Sequence, residues 1–225
     1  MSKQLFDPQV LLVTWPVFLF SLSFHEFFHA WSADLLGDHT ARYMGRLTKN
    51  PLAHYDLIGT TLGMVFRTFG WAKPVPVNSA VFRWPKRDMM LTALAGPASN
   101  VLLALLFGIV FKAVHPSASA ADAPGSIVVL IQKMAAYGLV LNLALAVFNL
   151  IPVPPLDGHH ILRGFLSFHA ALRYDSMKHY GMYLLIPVVM WGGRFVWPVV
   201  FLVLSLAFTW AEGCRIGDIW NSLSR

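Results

Sequence analysis

Apolar residues in this chain run continuously, with neither the alternation of strands nor the single stripe of a surface helix. From about Pro8 to Ala33 the run is broken only by isolated small or polar residues until His25. At 1.5 Å per residue its roughly 25 residues make a helix of about 37 Å, enough to cross a hydrocarbon core of about 30 Å. Pro16 is the site for a kink in it. Met89 to Val114 carries no charge before Lys112 and contains Gly96, Pro97, Ala98 and Ser99, small residues that let helices approach closely in lipid. Ile127 to Ile151 is a further span, holding Asn142 and Asn149 and ending at Pro152-Val153-Pro154-Pro155. Tyr180 to Ala211 is apolar apart from Gly192, Gly193 and Arg194, which suits one long span or a tight hairpin of two.

Asp56 to Gly70 is different. Its roughly 15 apolar residues reach only about 22 Å as a helix, so the pattern predicts a re-entrant or interfacial element. The segments on either side of it are polar: Gly37 to Tyr55 carries Arg42, Arg46, Lys49 and the breaker Asn50-Pro51, and Trp71 to Arg87 carries Lys73, Arg83, Lys86, Arg87 and three prolines. The whole predicts an all-α polytopic membrane protein with about 4–6 transmembrane helices and a re-entrant or interfacial element at about 56–70. One integral membrane domain fills residues 1–225, with a core over about 8–160 and C-terminal helices over about 161–211.

Composition agrees with the patterning: 56% hydrophobic and 12% charged residues exclude an ordinary soluble protein. The net charge of +6 is spread among Trp, Phe and apolar runs, which argues against a nucleic-acid partner and for the lipid bilayer. Cys214 is the single cysteine, so the chain has no internal disulfide and no Cys-rich zinc site. The first apolar run is expected to be retained and not cleaved as a signal peptide, since it continues into His25, Glu26 and His29 without a small-residue cleavage site. Both segments flanking Asp56 to Gly70 are cationic, whereas Ser117 to Gly125 carries only Asp122, so the former are expected in the cytoplasm. That brings the end of the first helix, the turn before Met89 and the turn at Asp157 to one depth.

His25-Glu26-Phe27-Phe28-His29 places two histidines four residues apart, on one face of a helix, where both imidazoles reach one metal. Zinc is the expected ion, one per chain, with Glu26 beside the open coordination position as general base. Three ionisable groups in an apolar helix each cost about 2–3 kcal/mol or more when charged at the bilayer centre, which demands a partner or a function. The third ligand must be a distant His, Asp or Glu at the same depth. Asp157 is placed there by the topology, although Pro-Pro-Leu-Asp-Gly is equally an ordinary turn sequence.

Three motifs in order resemble the site-2 protease family: His25-Glu26-Phe27-Phe28-His29, then Ala95-Gly96-Pro97-Ala98-Ser99-Asn100, then Asn149-Leu150-Ile151-Pro152-Val153-Pro154-Pro155-Leu156-Asp157-Gly158. Asn50 to Asp56 and Gly70-Trp71-Ala72-Lys73-Pro74-Val75-Pro76-Val77-Asn78 are similar to a small bacterial and archaeal branch of that family. The resemblance implies His25, His29 and Asp157 as zinc ligands, Glu26 as the catalytic glutamate and Asn149 as an active-site asparagine. It further implies an intramembrane zinc endopeptidase of a prokaryotic cell membrane, acting near the cytoplasmic side on membrane-anchored protein substrates. No stretch of the sequence has the size for a PDZ domain between spans or for CBS domains.

Competing readings are a metal-ion transporter and a non-catalytic metal-binding membrane protein. A transporter needs polar residues along its pathway on both sides, which Met89 to Val114 lacks, and metal binding alone does not need Glu26. His54 reads as a substrate or metal contact or as a hydrogen-bonded loop histidine. Asn142 and Asn149, two helical turns apart, either line the cleft or bond between helices. His159 and His160 read as helix-surface residues, and Phe24, Phe27, Phe28 and Trp31 as lipid or packing contacts. The topology has a direct check: cysteine-accessibility mapping should label positions 119 and 120 from outside and find positions 49, 87 and 163 in the cytoplasm. Opposite sides for residues 40–50 and 80–87 would make Asp56 to Gly70 a true span and overturn the convergence.

Overall fold

The computed structural model describes residues 8–66, 70–114 and 126–209. The segment from Ser117 to Gly125 with Asp122, Cys214, and the last residues of the run ending at Ala211 lie outside them. Ten α-helices occur among the described residues: α1 (Pro8–Leu35), α2 (Thr40–Tyr43), α3 (Pro51–His54), α4 (Gly59–Phe66), α5 (Pro85–Val114), α6 (Ile127–Asn149), α7 (Asp157–Phe165), α8 (Phe168–Asp175), α9 (Gly181–Trp191) and α10 (Gly193–Thr209). Three are long and apolar enough to cross a membrane, Val10–Leu35, Pro85–Val114 and Ile127–Asn149, or four if the bent pair Tyr183–Trp191 and Gly193–Ser205 counts as one span. The chain is thus a multi-pass integral membrane protein, with three or four candidate spans among the described residues against the expected 4–6.

The C-terminal run is a bent helix pair, compatible with one broken span or a re-entrant loop. Its two halves meet at 52° around Gly192. The Gly192 N–H still donates to the Val188 carbonyl at 2.7 Å, so the first half is closed as a helix before the chain turns.

α1, α5 and α6 form the frame. α1 and α5 run antiparallel, since His29 meets Thr92 and His25 meets Asn100. α5 and α6 are antiparallel too, with Phe107 filling the space that a side chain at Gly138 would need. Phe111, Ala135, Ala136, Leu139 and Leu143 pack with Val196, Val200 and Leu204 of α10 into a buried cluster. Phe18 and Leu22 of α1 with Ala72 make a second. Between α1 and α6, Asn142 Nδ2 donates to Ser21 Oγ at 2.9 Å, so Asn142 takes the interhelical role. The rings of Phe20, Phe24, Phe28 and Trp31 succeed one another along a different flank of α1, and Phe20 and Trp31 are exposed.

Segment ends follow local chemistry. Asn50 accepts from Leu52 N at 3.1 Å with Pro51 opening α3, and Ser126 Oγ accepts from Val129 N at 3.3 Å to start α6. Pro85 opens α5 four residues before Met89, while buried Asp88 reaches back to the Trp84 N–H at 2.9 Å. The predicted re-entrant element is short helix α4, eight residues or about 12 Å long, and the chain comes back to where it began. Trp71 N–H donates to the Gly59 carbonyl at 3.3 Å and the Thr60 hydroxyl donates to the Trp71 carbonyl at 3.1 Å. Both cationic segments therefore meet at one end of the bundle, and Arg46 of the first bonds the Lys73 carbonyl of the second at 2.6 Å.

Candidate metal centre

On α1 the four-residue spacing puts Ser21, His25 and His29 on the inner face, all buried. His29 lies six residues and His25 ten residues before Leu35, about 9 Å and 15 Å from that end of the helix, so the imidazoles sit well inside the span. At the far end of α6, the turn over residues 150–156 carries the chain back, and α7 opens on Asp157. Gly158 lets α7 press against that turn: a Cβ there would stand 2.3 Å from the Leu150 carbonyl oxygen.

The three side chains meet. His25 Nε2 is 3.0 Å from His29 Nε2 and 3.2 Å from Asp157 Oδ2, and His29 Nε2 is 3.3 Å from Asp157 Oδ1. Tetrahedral zinc with bonds of about 2.0–2.1 Å has ligand-to-ligand edges of about 3.3 Å. Among the described residues, this group has all its ligand atoms within 4.8 Å of one another.

The outward ring nitrogens decide what the inward ones offer. His29 Nδ1 is 2.8 Å from the Thr92 carbonyl, which only accepts, so this nitrogen carries the hydrogen and donates it. His25 Nδ1 donates likewise to Asn100 Oδ1 at 2.9 Å. Both neutral rings then present bare Nε2 lone pairs to each other and to a carboxylate whose Oδ2 is buried without a hydrogen-bond partner. Three lone-pair donors in one dry space repel unless a cation lies among them, so the donor set fits zinc.

α5 approaches the imidazoles without a side chain in between. A Cβ at Gly96 would stand 2.4 Å from His29 Nε2 and 2.6 Å from His25 Cε1, so this position admits only glycine if the rings are to stay in place. Asn100 and Thr92 had no role in the sequence reading. Asn100 closes the motif from Ala95, but its partner is 75 residues away, and Thr92 acts through its backbone, which leaves no mark on residue type.

Glu26 is half-buried, about 100° round the helix from His25, and its Oε2 accepts from the Val75 N–H at 2.9 Å. Asn149 stands half-buried at the end of α6, its Nδ2 donating to the Leu145 carbonyl of its own helix at 3.0 Å. His54 is a buried histidine at the end of α3 whose Nε2 donates to the Thr48 carbonyl at 2.8 Å, and it is not part of the cluster. His159 corrects the expectation of a surface residue: it is 1% exposed, with its ring stacked on Tyr174 at 4.4 Å and Nε2 3.5 Å from Asp175 Oδ1. Arg163 holds Asp175 through both carboxylate oxygens at 3.0 Å and 2.8 Å, folding α8 over that face of α7. His160 is half-buried.

Membrane-length helices around a His-His-Asp centre, with a glutamate next to the first histidine, define a membrane-embedded metallopeptidase. The chain belongs to peptidase family M50, whose model matches residues 14–191. It is 35% identical over 185 residues to the "Putative zinc metalloprotease YwhC" of Bacillus subtilis, covering 80% of this chain and 82% of that one. It is 30% identical over 171 residues to Rip2 of Mycolicibacterium smegmatis, described in the same words, covering 75% of this chain and 62% of that one. A stretch of 74 residues is 40% identical to MJ0611 of Methanocaldococcus jannaschii, again so described. No solved structure matches the chain. The protein is a site-2 protease-like zinc metalloendopeptidase.

Two substitutions test the packing around the imidazoles. Gly96→Ala should drive a methyl group into the rings and leave purified protein with well under one zinc per chain by elemental analysis. Asn100→Ala frees the His25 ring and should weaken zinc binding about 10–100-fold in competition with a chelator. Unchanged zinc in both would mean that the ion is held elsewhere.

Proposed function

We propose that this single membrane domain is an intramembrane endopeptidase that cuts membrane-anchored proteins within or beside a transmembrane segment, as in regulated intramembrane proteolysis. The observation that carries this reading is the depth of the donor cluster, about 9–15 Å inside a membrane-length helix. A soluble substrate would have no reason to be met there.

In this reading His25, His29 and Asp157 hold the zinc, with Asn100 and the Thr92 carbonyl fixing the two rings. Zinc, when bound, supplies Lewis-acid polarisation of the scissile carbonyl and acidifies a water. Glu26 takes the proton of the attacking water and returns it to the leaving amine. Asn149, eight residues before Asp157, holds the substrate backbone near the cleft. The substrate helix must unwind first, because its peptide groups are closed in its own hydrogen bonds. The cationic segments support, by the positive-inside rule, a catalytic end toward the cytoplasm of a prokaryotic cell.

Purified protein should carry about one zinc per chain, and His25→Ala, His29→Ala and Asp157→Ala should each lower its retention. Full retention by Asp157→Ala would remove Asp157 from the ligand set. The activity itself is tested by incubating purified protein with single-span candidate substrates, with zinc and with a chelator. Glu26→Gln should keep its zinc and lose roughly a hundredfold or more in cleavage rate. Cleavage at the wild-type rate would exclude Glu26 as the base. A wild type that cleaves nothing yet moves zinc across vesicles would be a transporter.

A further inference from the structure

The motif from Gly70 to Asn78 has no helix or strand and crosses α1 as an extended strap. It is tied at nearly every turn. Lys73 N donates to the His54 carbonyl at 2.8 Å, Arg46 Nη2 donates to the carbonyls of Lys73 at 2.6 Å and Pro74 at 3.3 Å, and Asn78 N donates to Asp38 Oδ2 at 2.6 Å. Asp38 is fully buried, and its other oxygen accepts from Thr40 N at 3.0 Å. Between these anchors stands Pro74-Val75-Pro76. Proline has no N–H, so Val75 is the single backbone donor of the three, and it points at Glu26 Oε2. Proline also fixes its own φ and biases the preceding residue toward extended backbone, so the strap is stiff on both sides of that donor.

We propose that this strap, clamped by Arg46, is the positioning element for the Glu26 carboxylate. The Val75 N–H occupies Oε2 in a charge-assisted hydrogen bond, which fixes the side-chain rotamer and leaves Oε1 as the oxygen that takes the proton. Arg46 acts at one remove: it holds the two carbonyls that precede the donor and so sets where the N–H points. The alternating prolines keep any other strap amide from competing for the carboxylate. The inference rests on the reading of Glu26 as general base, and it gives that base a fixed orientation which the HExxH helix alone does not provide.

The strap offers its own readout, because Val75 is the only exchangeable backbone amide in Pro74-Val75-Pro76. Hydrogen exchange of the full-length protein in detergent, followed by mass spectrometry of peptides spanning the strap, should show that amide protected in the wild type. It should exchange at least tenfold faster in Glu26→Ala and in Arg46→Ala. Exchange indifferent to Glu26→Ala overturns the proposal. On a membrane-anchored single-span protein that the wild type cleaves in a zinc-dependent way, Arg46→Ala should lower kcat at least tenfold with KM and zinc content unchanged, and Arg46→Lys should recover part of the loss. In a Glu26→Gln background Arg46→Ala should cost nothing further. An equal loss in both backgrounds makes Arg46 a structural residue and sinks the proposal while leaving Glu26 as base. A Glu26→Gln protein as active as the wild type removes that reading and this one together. If Arg46→Ala does not fold, Val75 replaced by its α-hydroxy acid removes the N–H alone and must give the same kcat loss.

Discussion

Two imidazole nitrogens and a carboxylate gathered within about 3 Å, inside an apolar bundle, need a cation, and most of the architecture serves that need. Burial leaves these groups less solvated than at a surface, so each candidate ligand has to be held from behind by the protein itself. The His25 and His29 rings are each pinned by α5, one through a side-chain amide and the other through a backbone carbonyl. Because both pins lie on one helix, α5 has to run alongside α1 in a set register. The bare α5 surface at Gly96 is the steric counterpart of those hydrogen bonds. Asp157 is brought in by a different device, a tight turn that lets α7 begin at the depth where the histidines already stand.

How much of this is legible in the sequence depends on the range of each interaction. The three long spans are plain because hydropathy is summed over twenty or more residues, and their ends fall within about four residues of the expected positions. The His25–His29 pair is plain because the helical period is local. Asp157 is another matter: a turn aspartate and a metal ligand look identical in isolation, and the motif order gave the assignment its weight. The short element at about 56–70, re-entrant or interfacial, is legible from length alone, but that Trp71 returns to Gly59 is a tertiary fact. Gly192-Gly193 announces a break without giving its angle, so the sequence alone fits one long span or a tight hairpin of two.

What the sequence hides are contacts in which one partner is backbone or is far along the chain. Thr92 contributes a carbonyl, as any residue would, and Val75 contributes an N–H whose importance comes from the prolines around it. His159 misleads for a further reason. α7 is short and amphipathic, but its apolar residues Leu162 and Phe165 are exposed while His159 is buried, so the apolar positions do not mark the covered face, and the covering helix α8 lies beyond it in the sequence.

The candidate ligands also enter the membrane in a fixed order during synthesis. α1 is made first, carrying two histidines whose inner nitrogens have nothing to bind. The Nδ1 hydrogens find their acceptors when α5 arrives, and the carboxylate follows only after α6 has been threaded and the chain has turned. Until that last turn forms, the nascent protein contains an exposed pair of imidazoles and no complete centre. A half-made chain thereby lacks the assembled centre on which peptidase chemistry would depend.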